Sequence, residues 1–343
     1  MRFPAFLVAV CALAQAPAPK PTVYKAAPPV TALAFSPDGT WMAVSGYREI
    51  LLHSMENGAP AKLAARLAGR AMRIHGLAFS ADSKTLVATG GDPAVGGEVQ
   101  VWNVSTKTLR HRSRLAGDTF FGVALSPDGT RAAFGGADKS IRLYDVVEGK
   151  QLRKMDHHED WVFSTAFGID GKRLVSVGRD RAAKLTDAST GAFVENVNLL
   201  RDSLTAVARH PRRDWVLIGG QDRIPYLYRM DRPRAMRIAD DSTLIRKFPQ
   251  QDGPILTVAF SPDGSKIAVG AESGDVRIYD AESGAALGQC SGHQGGTYAL
   301  AFTIDGTRLA AAGFDGQVRL YGIDGKLAQA YTPVPLGETV ARQ

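Results

Sequence analysis

One pattern of apolar and polar positions recurs along the chain from Val30 onward. Each copy begins with a short apolar run, and a turn of the Ser-Pro-Asp-Gly type follows it, as at residues 36–39, 126–129 and 261–264. A second apolar run, a Gly/Asp turn, an alternating third run and a more polar fourth run complete the copy. Alternation with period two between turn residues is typical of antiparallel strands. The pattern therefore predicts an all-β chain of four-stranded meanders.

The copies are evenly spaced. The residues that stand just before the first turn are 44, 46, 42, 42, 51 and 42 positions apart, namely Phe35, Phe79, Leu125, Phe167, Arg209, Phe260 and Phe302. A repeat of this length is characteristic of β-propellers. Although 343 residues would by length alone suggest two domains, we predict one domain over residues 30–332. It is a seven-bladed β-propeller of four-stranded antiparallel blades.

Small residues recur at one position of the predicted innermost strand. An alanine precedes each of the seven marker residues: Ala34, Ala78, Ala124, Ala166, Ala208, Ala259 and Ala301. A larger apolar residue stands one position earlier in six copies, with Thr165 as the exception. Strand alternation puts the two sets on opposite faces. Small residues on one face and large ones on the other favour blades that interleave around an axis.

The sequence resembles the WD40-repeat β-propellers over about residues 30–330. The resemblance rests on the Phe-Ser-Pro-Asp-Gly turns, the aspartate of the second turn, strand ends such as residues 101–103 and 143–145, and the Gly292-His293 pair. It implies a scaffold that binds partners, and it places no catalytic residue.

In the WD40 family, His, Ser or Thr, Asp and Trp form a buried hydrogen-bond chain within a blade. His158, Ser176 and Asp180 nearly match that set, with Thr186 in place of the aromatic residue. His293 and Asp315 occupy the corresponding positions of the last copy. In other copies the positions of this network hold Arg70, Phe134, Ala88 or Ala311. We therefore expect apolar packing to stabilise the propeller more than this network does.

The ends of the chain lie outside the repeats. Residues 1–14 have one positive charge, an apolar run and a small-x-small ending, which predicts a signal peptide and export to the periplasm or beyond. Residues 15–29 are interpreted as a linker or N-terminal clasp, and residues 333–343 as a C-terminal tail. Lys326–Tyr331 is the favoured last outer strand, with Val23–Ala26 pairing beside it or replacing it. After cleavage only Cys290 remains, so an internal disulfide is excluded.

The composition is that of a globular protein, with 45% hydrophobic and 22% charged residues. The net charge of +7 is concentrated in the fifth copy. We identify a candidate basic patch there, formed by Arg212, Arg213, Arg229, Arg232, Arg234 and Arg237. It predicts either a solvated loop or a docking surface for an acidic partner. Nucleic acid is disfavoured because no aromatic residues alternate with these arginines.

Catalytic and metal motifs are missing from the sequence. It contains no G-x-S-x-G elbow, no H-E-x-x-H helix motif and no phosphate-binding loop. The cluster at residues 157–160 is rich in metal-ligating types, but neighbouring side chains on an extended segment point apart. We therefore predict neither a cofactor nor a metal, and no enzyme activity.

Loops on one propeller face are the predicted contact surface for a protein partner. The candidate contact residues are Arg73, His75, Phe120, Phe121, Trp161, Arg179, Gln221, Arg223, Tyr298 and Phe314. Exposed aromatic and arginine side chains are common in interface hot spots. The leading hypothesis is a monomeric, non-catalytic interaction scaffold in the cell envelope. An enzyme or small-ligand binder that uses the central channel, and a basic binder of acidic polymers, remain the alternatives.

Overall fold

A computed structural model describes residues 22–198, 201–230 and 241–337. The predicted signal peptide, the linker as far as residue 21 and the last six residues lie outside the described residues, as do Arg232, Arg234 and Arg237. The described residues form 27 strands and no helix. These strands make six antiparallel sheets, one with seven strands and five with four.

The first three sheets follow chain order. The seven-stranded sheet contains β1 (Leu33–Phe35), β2 (Trp41–Ser45), β3 (Tyr47–Glu56), β4 (Ala59–Phe79), β5 (Thr85–Asp92), β6 (Gly96–Asn103) and β7 (Thr108–Ala116). The second sheet contains β8 (Phe120–Leu125), β9 (Arg131–Gly136), β10 (Ile141–Asp145) and β11 (Lys150–Met155). The third contains β12 (Val162–Phe167), β13 (Arg173–Gly178), β14 (Ala183–Asp187) and β15 (Phe193–Asn196).

The last three sheets repeat the same meander. The fourth contains β16 (Leu204–Arg209), β17 (Trp215–Gly220), β18 (Tyr226–Arg229) and β19 (Leu244–Lys247). The fifth contains β20 (Ile255–Phe260), β21 (Lys266–Ala271), β22 (Val276–Asp280) and β23 (Ala286–Cys290). The sixth contains β24 (Thr297–Phe302), β25 (Arg308–Gly313), β26 (Val318–Gly322) and β27 (Leu327–Tyr331).

Strand β4 links two halves of the seven-stranded sheet. Its first part, residues 59–68, pairs along β3, whereas residues 74–79 pair with β5. Arg73 is the junction, because its backbone is opposite Tyr47 of β3 and Gly91 of β5. One continuous strand is therefore the last strand of the first half and the first strand of the second.

The hydrophobic core lies between successive sheets. Val123 of β8 packs with buried residues of the preceding strands, such as Val87, whereas Ala124 packs toward the following sheet, with Phe167. Burial of both faces explains why the innermost strands are apolar on both sides. The small and large residues of the repeat thus face different neighbours.

The last sheet also packs against the first. One buried cluster contains Leu33 and Met42 of the first sheet together with Ala310 and Leu320 of the last. This contact closes the chain of sheet-to-sheet contacts into a ring. An all-β ring of antiparallel sheets with its core between the sheets is a β-propeller.

The two ends of the described chain meet beside this closure. Tyr24 forms a parallel bridge with Leu336, and the Gly337 amide donates to the Tyr24 carbonyl at 3.0 Å. The buried Tyr24 hydroxyl donates to Glu49 at 2.7 Å, and Arg66 forms an ion pair with the same carboxylate. The last outer strand is β27, and the N-terminal segment pairs with the residues that follow it.

Candidate functional site

The strand register assigns every turn to one of two ends of the propeller. Val162, near the start of innermost strand β12, pairs with Gly178 at the end of β13, and Leu204 pairs with Gly220 in the same way. The turns between second and third strands therefore lie at the end where the innermost strands begin. We call this end the entry face, and the Ser-Pro-Asp-Gly turns lie at the other end.

A cavity of about 840 Å³ opens among the innermost strands. All seven innermost segments line it, since β1, β4, β8, β12, β16, β20 and β24 each contribute residues. Threonine, alanine, glycine and branched apolar residues form most of the wall. Thr31 and Thr205 close gaps between neighbouring innermost strands, because their hydroxyls donate to the carbonyls of Ile74 and Ile255.

Aromatic rings form one side of the cavity. The His75 ring is 5.6 Å from Phe121, which is 5.2 Å from Phe163. Trp161 continues the series, 6.0 Å from Phe121. These distances fall in the range of favourable tilted ring contacts. Tyr298 belongs to the cavity lining but to a different sheet from these four rings.

Arg73 carries the one formal charge among the described residues that line the cavity. Burial, with the nearby positive charge of Arg73, lowers the pKa of His75 to about 4. The imidazole is therefore neutral at physiological pH. Among the side chains that the structure describes, none forms a hydrogen bond or ion pair with the Arg73 guanidinium.

The predicted contact residues divide by exposure. Trp161 is 40% exposed and Phe314 is 59% exposed, and both stand on the entry face. Arg179 lies over the Trp161 ring at 5.7 Å and is 3.8 Å from Asp160. Gln221 and Arg223 are also exposed on this face, in the turn between β17 and β18.

The prediction that Phe120 is a partner-contact residue is wrong, because its side chain is fully buried. Its ring packs 4.8 Å from Phe134, and the Arg142 guanidinium lies 4.8 Å above it. The pairing of β8 with β9 shifts register between Phe120 and Val123. The chain therefore turns Phe120 into the core while its neighbour Phe121 lines the cavity.

The predicted basic patch has three arginines in the described residues, and they lie at the end of the propeller opposite the entry face. Arg212 and Arg213 are in the turn between β16 and β17, and Arg229 is opposite Trp215 at the start of β17. Arg213 is 2.7 Å from Glu282 and 4.4 Å from the centre of the Trp215 ring. These arginines therefore do not belong to the entry face.

A buried polar chain joins the second and third strands of the third sheet to the loop before it. His158 Nδ1 donates to Asp180 Oδ1 at 2.9 Å, and its Nε2 is 2.7 Å from Ser176 Oγ. Lys184 is 3.1 Å from the same carboxylate. Burial disfavours the charged aspartate, but His158, the Glu159 amide and Lys184 together outweigh burial and hold the Asp180 pKa well below its usual range.

The last sheet has a different arrangement, which corrects the expected His293–Asp315 network. Arg319 stands between the two residues: it donates to Asp315 at 2.7 Å and lies 3.3 Å from His293 Nδ1. His293 Nε2 is buried and finds no partner among the described residues. The Ser176 position is occupied by Ala311, which has no hydroxyl to offer.

Comparisons with known proteins match the repeats directly. The WD domain, G-beta repeat model matches residues 21–50, 107–145, 149–187 and 284–322. The model of the anaphase-promoting complex subunit 4 WD40 domain matches residues 207–297. The chain belongs to the WD40-repeat family.

Two relatives extend the WD40 match. Eukaryotic translation initiation factor 3 subunit I of Culex quinquefasciatus is 28% identical over 155 residues, covering 40% of this chain and 44% of that protein. A guanine nucleotide-binding protein subunit beta of Oryza sativa subsp. japonica is 23% identical over 235 residues, covering 64% and 59%. The chain thus spans about half the length of the curated relatives it matches.

Sequence reasoning missed a second use of the turn aspartates in this WD40 chain. Four of them bind the residue four positions later on the third strand: Asp138 with Arg142, Asp180 with Lys184, Asp222 with Tyr226 and Asp315 with Arg319, at 2.7–3.1 Å. The spacing of Asp and a long polar side chain was visible in the sequence. These pairs fix the turn against its own sheet.

The same turns contain residues with positive φ. Lys139, Arg181 and Arg223 have φ of 68°, 70° and 66°, whereas Gly274 and Gly316 take this position in the last two sheets. Glycine adopts such a conformation without steric cost, and other residues rarely do. Basic side chains therefore replace glycine on the entry face of three successive sheets.

The two histidines of the cluster at residues 157–160 have structural partners. His157 Nε2 is 2.8 Å from the Gly191 carbonyl, and His158 is bound within its sheet. Over residues 22–198, 201–230 and 241–337, no three His, Cys, Asp or Glu side chains are grouped as metal ligands. Nor does any helix in these ranges have the length and hydropathy to cross a membrane.

Proposed function

We propose that this chain is a non-catalytic interaction scaffold that presents the entry face of a WD40 propeller to a protein partner. The observation that carries this proposal is the exposure of two aromatic side chains on the entry face, Trp161 beside the third sheet and Phe314 beside the sixth. Aromatic side chains are common centres of interfaces. A rigid ring holds them in place, so little conformational entropy is lost on binding.

We propose seven blades within the six sheets. Strand β4 completes one four-stranded unit with β1–β3 and begins a second with β5–β7. Seven buried clusters also separate successive units, including the one that joins the last sheet to the first. This number agrees with the seven sequence repeats.

The names of the relatives support a scaffold role. Subunit I of an initiation factor, a G-protein subunit beta and subunit 4 of the anaphase-promoting complex are each named as parts of an assembly. The cavity lining of this chain adds chemical support, because the described wall has no carboxylate and its histidine is neutral at pH 7. Acid–base chemistry has little to work with there.

We also propose that the protein acts in the cell envelope. The proposal rests on the signal-peptide pattern of residues 1–14. Cys290, which the mature chain would retain, is buried, and burial raises the pKa of its thiol to about 12. An inert thiol suits a protein that passes through an oxidising compartment.

A small-ligand binder remains the second candidate, because a cavity of about 840 Å³ lies within the range of known ligand pockets. A binder of acidic polymers has less support. Of its predicted residues, Arg213 already pairs with Glu282 and stacks on Trp215.

Affinity capture with matched variants tests the scaffold proposal. The wild-type chain, a Trp161→Ala/Phe314→Ala variant and a Leu152→Ala control are immobilised and exposed to the envelope fraction of the source cells. Leu152 is exposed on the outer strand β11, away from the entry face. We expect wild type and the control to retain the same protein and the double variant to lose it. Equal retention by all three would refute entry-face docking.

A further inference from the structure

Arg73 is an isolated cation in an otherwise uncharged cavity. It is exposed, lies at the junction of β3, β4 and β5, and lines the cavity together with Tyr47 opposite it. No carboxylate belongs to the described lining, and none in the described ranges pairs with the guanidinium. A positive group in such surroundings is complementary to one negative charge on a ligand.

The wall next to Arg73 is aromatic and apolar. His75 lies two residues along the same strand, and the rings of Phe121 and Phe163 follow at successive spacings of 5.6 and 5.2 Å. Gly76 and Gly122 also line this wall. These glycines let neighbouring innermost strands approach closely, since a Cβ at Gly76 or Gly122 would meet the carbonyl of Phe121 or Phe163. The rings themselves suit a ligand with a flat or branched apolar body.

The cavity geometry selects the end of a chain over its middle. Every innermost strand contributes to the wall, so the cavity runs along the central axis of the ring. A ligand must enter along that axis, and a polypeptide end can do so while the rest of its chain crosses the entry face. A C-terminal residue carries one carboxylate beside one side chain, which matches one arginine beside one aromatic wall.

We propose that the cavity receives the C-terminal residue of the partner protein, with its carboxylate paired with Arg73 and an apolar or aromatic side chain against His75, Phe121 and Phe163. This inference rests on the proposed scaffold function and adds the chemistry that the partner must present. It predicts a partner whose chain ends in a residue such as leucine or phenylalanine.

Calorimetric titration with three peptides tests the inference. The first is an acetylated tetrapeptide that ends in phenylalanine with a free carboxylate, the second is its C-terminal amide, and the third is an amide whose last residue is glutamate. The proteins are wild type, Arg73→Gln and Arg110→Gln. Arg110 is an exposed arginine of outer strand β7 and serves as the matched control.

We expect wild type and Arg110→Gln to bind the free acid at least about tenfold more tightly than either amide, which is the effect of one charge-assisted pair. Arg73→Gln should remove that preference. Equal binding of acid and amide, no binding at millimolar concentration, or a preference that survives Arg73→Gln would each overturn the inference. A glutamate amide that equals the free acid would overturn the terminal carboxylate as the recognised group.

The test separates this inference from the scaffold function. Partner capture that needs Trp161 and Phe314 but ignores Arg73→Gln would overturn the terminal-carboxylate inference and leave the scaffold intact. Capture that is unchanged by all three substitutions would refute entry-face docking, and with it both proposals.

Discussion

The third and sixth sheets hold the same histidine and aspartate in different surroundings. In the third, His158 contacts Ser176 through one ring nitrogen and Asp180 through the other. In the sixth, His293 meets Arg319, and its buried Nε2 has no partner in the described part of the chain. A buried polar atom without a hydrogen bond lowers stability. Both ring nitrogens of the third-sheet histidine therefore have side-chain partners, whereas one ring nitrogen of the sixth-sheet histidine has none among the described residues.

At the position where the WD40 family has an aromatic residue, the sixth sheet has the satisfied side chain and the third has the unsatisfied one. The third sheet has the buried Thr186, whose hydroxyl lacks a partner among the described residues, whereas the sixth has Tyr321, which donates to the Ser291 carbonyl at 2.6 Å. Each sheet thus keeps part of the family network and loses another part. Packing between sheets holds both in the same shape, which explains how the repeat tolerates such losses.

Among the variants that test this comparison, the one that lacks the Asp180 carboxylate should lose the most stability. The Asp180→Ala change leaves His158 and Lys184 without their shared carboxylate in a buried site. We expect a loss of about 3 kcal/mol in the free energy of unfolding, measured by urea denaturation. Asp315→Ala is the matched variant in the sixth sheet and should cost less. An equal or larger loss for Asp315→Ala would contradict the ranking.

Ser176→Ala should have the next largest effect. The change gives the third sheet the alanine that the sixth sheet has at the corresponding position, Ala311, and leaves His158 Nε2 unpaired. A loss of about 1–2 kcal/mol is expected from one unsatisfied buried group. Chemical denaturation of this variant beside Ser189→Ala measures it, because Ser189 lies in the turn between β14 and β15 and its hydroxyl makes only a solvent-exposed bond, to Asp187 at 2.6 Å. A loss no larger than that of Ser189→Ala would show that the hydroxyl contributes nothing.

Acidification should reveal the unpaired histidine. Burial, with the positive charge of Arg319, lowers the pKa of His293 to about 4. In the unfolded chain this histidine takes up a proton near pH 6.5, whereas in the folded chain it does so only near pH 4. The contribution of His293 to stability is therefore full above pH 6.5 and falls as the pH drops toward 4. His53 and His75 have pKa values lowered to about 4 by burial and act in the same direction.

The variant His293→Gln isolates this contribution. Between pH 7 and pH 5 this variant should lose about 2 kcal/mol less stability than wild type. Melting curves across that range, with both proteins in the same buffers, measure the difference. Parallel loss in wild type and variant would show that His293 does not titrate with folding.

Repair of the sixth sheet should have the smallest effect. Ala311→Ser places a hydroxyl where the third sheet has Ser176, and we expect a gain of about 0.5–1 kcal/mol. The gain should vanish in His293→Gln, because the new hydroxyl would lose the ring nitrogen it binds. A double-variant cycle of the two changes gives this coupling, and a coupling near zero would argue against the network.

The repeat made most of the fold predictable. Pro and Gly at defined turn positions, with period-two alternation between them, were enough to predict antiparallel four-stranded units. The shared strand β4 was not visible, because residues 59–79 contain no Pro-Asp-Gly turn and pairing partners far along the chain decide where one unit ends.

The site was less predictable because it depends on side-chain direction. Phe120 and Phe121 are adjacent and chemically alike, yet a register shift sends one into the core and the other to the cavity. The role of Arg319 was also hidden, since it depends on the long side chain reaching back to Asp315. The spacing of an aspartate and an arginine four residues apart across a turn is the sequence pattern that would have predicted this pair.

Site-specific crosslinking tests the central claim, that the entry face binds the partner, most directly. A cysteine replaces Ser273, in the entry-face turn between β21 and β22, or Ile304 at the opposite end, both of which are exposed, and each carries a photo-crosslinker. Buried Cys290 stays unlabelled because its thiol is protonated and inaccessible. We expect one crosslinked partner from position 273 and none from position 304. Crosslinking from position 304 alone, or equally from both, would contradict entry-face binding.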